Sequence, residues 1–290
     1  MKSLRELIVE DRPHLSEGSL KTYLANLRRL GIEETEDIGH LNNPDEIFKQ
    51  IEDLKLNMKR NVISAVLIMV TASGSGKDLY EIYRQKLFDL GKEYSAQQAK
   101  NEKTQTQEKN WIELEELKKI TKKMLKNNPK SQNSLIAALY TMQPPTRLDY
   151  YSMEVVNSKT EIDNEKNYLV IHNTRRKEFV FNDYKTSNTY NQVRIKVGKE
   201  LNRVINKFLK LNPDRKYLLQ QVRSEKPLTR NALGKLIPVI FKETGKNVTL
   251  NIIRHVYVSE KVDLDAVKKF TEIAKNMMHS NSEQASYNKG

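Results

Sequence analysis

The residues best suited to chemistry are an arginine, a histidine and a tyrosine that follow one another near the end of the chain. They are Arg254, His279 and Tyr287, with gaps of 25 residues (279 − 254 = 25) and eight residues (287 − 279 = 8). Arg147 and Lys185, further upstream, are basic residues that such a site would want. The chemistry they suggest is cleavage of a phosphodiester without metal. That reaction needs a nucleophile that reaches phosphorus, and cationic donors that hold the non-bridging oxygens as charge builds up. It also needs an acid for the leaving 5′ oxygen, and shielding of the product from water. Arginine suits the second task, because its planar fork grips two oxygens and keeps its charge. Tyrosine suits the first, since a phenol is a fair nucleophile and a good leaving group in the reverse step. The energy of the broken bond would stay in a phosphotyrosine, and rejoining would need no ATP.

Helices and a small β region must position these residues. Leu20, Tyr23, Leu24, Leu27 and Leu30 recur at helical spacing, with Ser19 as the expected N-cap and Gly31 as the stop. Asn43-Pro44-Asp45 opens a second helix with the stripe Ile47, Phe48, Ile51 and Leu54. A third, residues 57–71, is apolar on most sides and is expected at the centre of a bundle; a fourth runs through Leu79, Tyr83, Leu87 and Leu90. Lys21, Arg28, Arg29, Lys55, Lys59 and Arg60 give this four-helix unit basic faces that could lie along DNA. Residues 93–110, rich in Gln, Asn, Lys and Thr, bury almost nothing and are expected to be a solvated linker or a frayed helix extension. The organisation predicted is 1–92 as a helical unit, 93–110 as linker and 111–290 as a second domain.

In the second domain, Leu114, Leu117, Ile120, Met124 and Leu125 mark one helix and residues 134–142 another, closed by Pro144-Pro145. Thr146 is expected to cap a short helix beginning at Arg147. Three strands follow, 168–172, 178–184 and 192–197, joined by polar turns. Helices are expected over 199–211, over 229–243 with Gly245 as the stop, and from Leu250 with Thr249 as cap. The fold class predicted is mainly α with a small antiparallel sheet, that is α+β.

Composition sets the outer bounds. The 290 residues carry 50 Lys+Arg against 37 Asp+Glu, a formal charge of +13, which suits a polyanionic partner such as nucleic acid. There is no cysteine, which excludes disulfides, thiolate metal sites and cysteine nucleophiles. The longest apolar run, residues 62–71, is too short to span a bilayer, and residues 1–15 lack a signal-peptide core. A soluble, intracellular protein is expected. Ser73-Gly74-Ser75-Gly76-Lys77 imitates a phosphate-binding loop, but the first glycine of that motif falls on Thr71 and Asp78 replaces the final Ser or Thr. A helix, not a strand, precedes it, so a helix–helix turn is expected and no nucleotide site.

Residues 111–289 resemble the tyrosine recombinase (integrase) family, whose catalytic core is shared with type IB topoisomerases. Residues 1–92 more loosely resemble that family's helical core-binding (SAM-like) domain. The resemblance rests on PPTRLDYYSME, which offers Arg147; on Asn251-Ile252-Ile253-Arg254-His255, against the usual His-x-x-Arg-His; on Met278-His279-Ser280, against Gly-His-Ser; and on Tyr287. The family's catalytic lysine sits in a β-hairpin turn, and FNDYKTSNTYNQVRIKV offers Lys185, with Lys177 at the other turn as its rival.

The resemblance implies site-specific cleavage of double-stranded DNA by Tyr287, giving a 3′-phosphotyrosyl link and a free 5′ hydroxyl, then strand exchange. Arg147 and Arg254 would clamp the phosphate, His279 and Asn251 would assist, and Lys185 would be the general acid. It further implies a C-shaped grip on the duplex, a homotetramer on two DNA sites, no cofactor, metal or nucleotide, and a mobile element or virus as the natural home. Three departures stand out. Asn251 can donate to a phosphate oxygen but cannot shuttle a proton, Met278 replaces a glycine, and the His279–Tyr287 gap is one residue shorter than the family's nine. The sequence ends three residues after Tyr287, so it either lacks the C-terminal helix that many relatives pass to a neighbouring subunit or is cut short of it. Two other readings compete: a topoisomerase-like DNA relaxer, and a DNA-binding protein of the same fold without the chemistry. Taken singly, Arg147 is an ordinary surface arginine, Lys185 a solvated turn residue and His255 a packed, hydrogen-bonded histidine. It is the ordered set that carries the argument.

Overall fold

The structure, a computed structural model, describes residues 2–213, 215–222, 224–278, 280 and 285. It is mainly helical with one small four-stranded sheet, and it divides into two compact units, Met1–Glu102 and Lys103–Gly290.

The first unit contains α1 (Leu4–Asp11), α2 (Glu17–Arg29), α3 (Pro44–Gln50), α4 (Leu56–Ala72) and α5 (Lys77–Ala99), with a 3-10 stretch, Thr35–Asn42, before α3. This is one helix more than the periodicity predicts. The addition, α1, carries a reciprocal capping box: the Glu6 amide donates to Ser3 Oγ at 3.2 Å and the Ser3 amide to Glu6 Oε2 at 2.7 Å. Ser16, not Ser19, caps α2, because the Ser19 amide donates to Ser16 Oγ and the helix starts a turn earlier. Val62, Ile63, Ala65, Val66, Ile68, Met69 and Val70 make α4 the buried centre, against α1, α2 and α5. Residues 73–76 form the turn between α4 and α5, with Gly74 at φ +66° and Gly76 at φ +100°, values that only glycine adopts cheaply. The stretch expected as a linker carries the last turns of α5 and, after residues 100–104, α6 (Gln105–Asn110).

The second unit continues with α7 (Leu114–Asn127), α8 (Gln132–Thr141), β1 (Glu154–Asn157), β2 (Tyr168–Ile171), β3 (Lys177–Phe181), α9 (Ser187–Tyr190) and β4 (Val193–Lys196). Then come α10 (Lys199–Leu211), α11 (Arg230–Ile240), α12 (Leu250–Lys261) and α13 (Leu264–Asn276). Strand order is β1-β2-β3-β4, with β2/β3 and β3/β4 antiparallel but β1/β2 parallel. The sheet is therefore mixed, where an antiparallel one was expected. β1 is only four residues long and precedes a polar stretch. Its pairing depends on residues 158–167 carrying the chain back to the same end, which local pattern does not reveal.

The alternation along the strands has a packing cause. Leu169, Phe179 and Phe181 face the main core with α7, α8, α10, α11 and α12, while Tyr168, Val170 and Val180 face the other way under Val156 and Ile162. Both faces of the central strands are thus covered, and burying a side chain of this size contributes about 2–3 kcal/mol. α8 is buried at every residue from Ser134 to Thr141.

Candidate functional site

Residues 147–152 turn and do not form the helix expected at Arg147. Tyr150 decides this. It is fully buried, edge-on to Tyr140, Phe179 and Phe181 at centroid distances of 5.6, 5.1 and 5.6 Å, and Gln143 donates to its hydroxyl. Burial pushes the Tyr150 hydroxyl well above the ordinary phenol range, so it stays a neutral anchor. Thr146 does not cap a helix; its Oγ1 donates to the Arg147 carbonyl at 3.1 Å, as does Tyr140 Oη. The backbone of Arg147 is therefore held from two sides while its side chain stays half-exposed.

α12 brings the second group. Thr249 caps it through the Ile252 amide, and Ile252, Ile253 and Val256 bury one face. Asn251 and Arg254, three residues apart, share the other face. The cap and the helix follow the sequence reading. His255 does not: it is exposed, where a packed histidine was expected, because the buried face of α12 is filled by its isoleucines and valine.

Arg147, Asn251 and Arg254 line one cleft of about 340 Å³, together with Leu148, Gly234, Thr249, Leu250 and a further arginine, Arg230. Arg230 is the first residue of α11, whose Thr229 cap accepts from the Ala232 amide at 3.1 Å. Its guanidinium lies 3.7 Å from Asp149, which is almost fully buried. The cleft thus gathers three guanidinium groups beside one carboxylate. Neither Arg147 nor Arg254 has a carboxylate at ion-pair distance among the described residues. Burial raises the Asp149 pKa above the ordinary carboxyl value; Arg230, Arg147 and Arg254 oppose that rise, and Asp183 adds to it. Arrayed cations of this kind can hold an anion with two or more oxygens.

Lys185 is exposed on the connection from β3 to β4 and does not line the cleft. A buried amide ties its segment to the Arg147 turn. Asn167 Nδ2 donates to the carbonyls of Asp149 (3.0 Å) and Asp183 (2.8 Å). Its Oδ1 accepts from the amides of Asn182 and Asp183, both at 2.9 Å. All four hydrogen-bonding positions of the amide are used. Lys177 lies at the opposite end of β3, on the far side from Asp183, and is buried. Its ammonium donates to Asn202 Oδ1 at 2.9 Å, to Asn206 Oδ1, and to the carbonyls of Asn173 and Thr174. Burial lowers its pKa.

His279 and Tyr287 lie outside the described residues. The helix that precedes them is α13, capped by Asp263, and its apolar stripe is largely open: Val267 is 50% and Ile273 39% exposed, and Ala274 is buried. The sequence reading missed Asp149, Asn167 and Arg230. The first two are polar residues whose burial is set by distant partners, and Arg230 is one basic residue among 50. Among the described residues, no helix is long and apolar enough to cross a membrane. No protein-family model and no curated protein matches the chain.

Proposed function

We propose that this chain is a tyrosine-type site-specific DNA recombinase. The observation that carries the reading is that Arg147, from the turn before β1, and Arg254, from α12, line one cleft although 107 residues separate them (254 − 147 = 107). Asn251 joins them there, and Asn167 fastens the segment bearing Lys185 to the turn bearing Arg147.

In this reading Tyr287 Oη attacks the scissile phosphorus and the bond to the 5′ oxygen breaks. Lys185 donates the proton that the leaving oxygen takes up. Arg147 and Arg254 hold the non-bridging oxygens as charge accumulates, and Asn251 donates a further hydrogen bond. His279 assists at the same phosphate. The product is a 3′-phosphotyrosyl link, and attack by a 5′ hydroxyl from a second duplex reverses the step and exchanges strands. The working form in this reading is a tetramer on two DNA sites.

The amide at Asn251 favours one competing reading, a DNA-binding protein of this fold without the chemistry, because an amide cannot transfer a proton. The test is an SDS-resistant adduct assay with EDTA present, on a pool of nicked duplexes whose cut fragment diffuses away and traps the covalent state. An adduct formed by the wild type and absent from Tyr287→Phe is expected. Tight duplex binding by the wild type with no adduct on any nicked duplex refutes the recombinase reading in favour of the binding one.

A further inference from the structure

The carbonyl of Arg147 is held by side chains alone. Residues 147–152 belong to no helix or strand, and among the described residues no backbone amide donates to this carbonyl. Its donors are two hydroxyls, Tyr140 Oη and Thr146 Oγ1, each at 3.1 Å. Tyr140 stands on α8, and Thr146 directly precedes the arginine.

The Tyr140 ring is fully buried and edge-on to Tyr150. A phenylalanine would fill the same space, and a buried hydroxyl is costly unless it is hydrogen-bonded. Among the described residues, the hydrogen bond of that hydroxyl is the one to the Arg147 carbonyl; the Tyr150 hydroxyl is engaged by Gln143 instead. Burial, with Tyr150 and Asp149 nearby, holds the Tyr140 ionisation well above the ordinary phenol range, so the group stays a donor. At the other end of the arginine, the guanidinium has no carboxylate at ion-pair distance among the described residues. Its direction is therefore set from the backbone.

We propose that Tyr140 and Thr146 are positioning residues of the arginine cleft, whose hydroxyls aim the Arg147 guanidinium at a bound phosphate group through the arginine's own carbonyl. The inference rests on the proposed function for the reaction it serves, whereas the aiming itself does not involve Tyr287. A clamp works only when its donors stand within about 0.5 Å and 10–20° of the productive geometry. A long side chain magnifies any rotation of the backbone that carries it, and a misplacement of about 1 Å can cost about 100-fold in rate.

The test measures single-turnover adduct formation on the pool of nicked duplexes. It compares the wild type with Tyr140→Phe, Thr146→Val, Thr146→Ser and Arg147→Ala, and Tyr140→Phe/Arg147→Ala completes a double-mutant cycle. Tyr140→Phe and Thr146→Val each leave the carbonyl one donor, so each is expected to slow the reaction about tenfold, with Thr146→Ser close to the wild type. In the Arg147→Ala background, Tyr140→Phe is expected to change the rate by less than about twofold, because no guanidinium is left to aim. Its effect on stability persists there, so the cycle separates aiming from folding. Tyr83→Phe is the control. Its buried hydroxyl, in the first unit, donates to the Leu41 carbonyl at 2.8 Å. Removing it is expected to lower the urea midpoint, as Tyr140→Phe does, and to leave the rate as it was.

The inference is overturned by wild-type rates in Tyr140→Phe or Thr146→Val, by failure of Thr146→Ser to recover the rate, by the same loss with and without Arg147, or by an equal slowing in Tyr83→Phe. An adduct with any of these patterns sinks the aiming and leaves the recombinase reading standing. If the wild type forms no adduct, the recombinase reading falls and inorganic phosphate decides the inference. It is titrated against the Arg147 side-chain Nε–Hε resonance, which Arg147→Ala identifies. Binding about tenfold weaker in Tyr140→Phe than in the wild type sustains the aiming. Equal affinities, or no phosphate binding by the wild type, overturn it.

Discussion

Asn167→Ala tests whether the candidate site is one assembly. The wild-type amide makes four hydrogen bonds, to the carbonyls of Asp149 and Asp183 and from the amides of Asn182 and Asp183. Asn167 itself is 1% exposed. At about 1 kcal/mol net for each bond, the truncation costs about 4 kcal/mol, a large fraction of a domain's ordinary stability of about 5–15 kcal/mol. Water can enter the space left and recover part of this, which sets a floor of about 2 kcal/mol. Asn167→Asp is a sharper companion. It keeps the acceptor for the two amides but sets a carboxylate oxygen against the two carbonyls, so its cost falls as pH drops and the carboxyl protonates. Urea denaturation of both variants gives the energies. In Asn167→Ala, hydrogen exchange at the Asn182 and Asp183 amides gives the location, because there these two lose their acceptor and should exchange faster than the rest of the sheet. Both variants should also slow adduct formation at temperatures where the fold persists, since Arg147 and Lys185 are then no longer held to a common anchor. A cost under 1 kcal/mol, or unchanged protection at both amides, refutes the reasoning.

Two further predictions concern the cleft. Arg254→Ala is expected to lower the rate of adduct formation by about 10²–10³ while leaving the fold intact, and Arg254→Lys to recover only part of it, because an ammonium cannot present two parallel donors; single-turnover rates check this, and equal rates for all three proteins refute it. Asp149 has its pKa raised by burial, so the folded chain keeps this proton to higher pH than the unfolded chain does. Its ionisation therefore weakens the fold as pH rises from the ordinary carboxyl value of 3.8 through the raised one, with no further change above. Relative to the wild type, Asp149→Asn should gain stability across that window and run parallel to it at neutral pH. Urea titrations from pH 4 to 8 measure the difference, and a difference that is flat or falls with pH contradicts the assignment.

The helices were largely open to reading because their signals are local. Thr249 and Thr229 cap the helices they precede, Gly31 and Gly245 take positive φ where helices stop, and the apolar spacing of α4, α7 and α10 marks their buried faces. Each of these depends on residues within a turn or two of one another, so the sequence by itself determined them. The capping box of α1 was equally local and could have been read from Ser3 and Glu6. Arg147, Asn251 and Arg254 could be named as candidates from residue type and order, but their sharing a cleft could not be read. Only the tertiary structure decided that, together with the parallel pairing of β1, the turn in place of a helix at Arg147, the pairing of Arg230 with Asp149, and the four bonds of Asn167. Each of these depends on partners far apart in the chain. A buried polar group finds its satisfaction, and a short strand its direction, only after folding has brought such partners within reach.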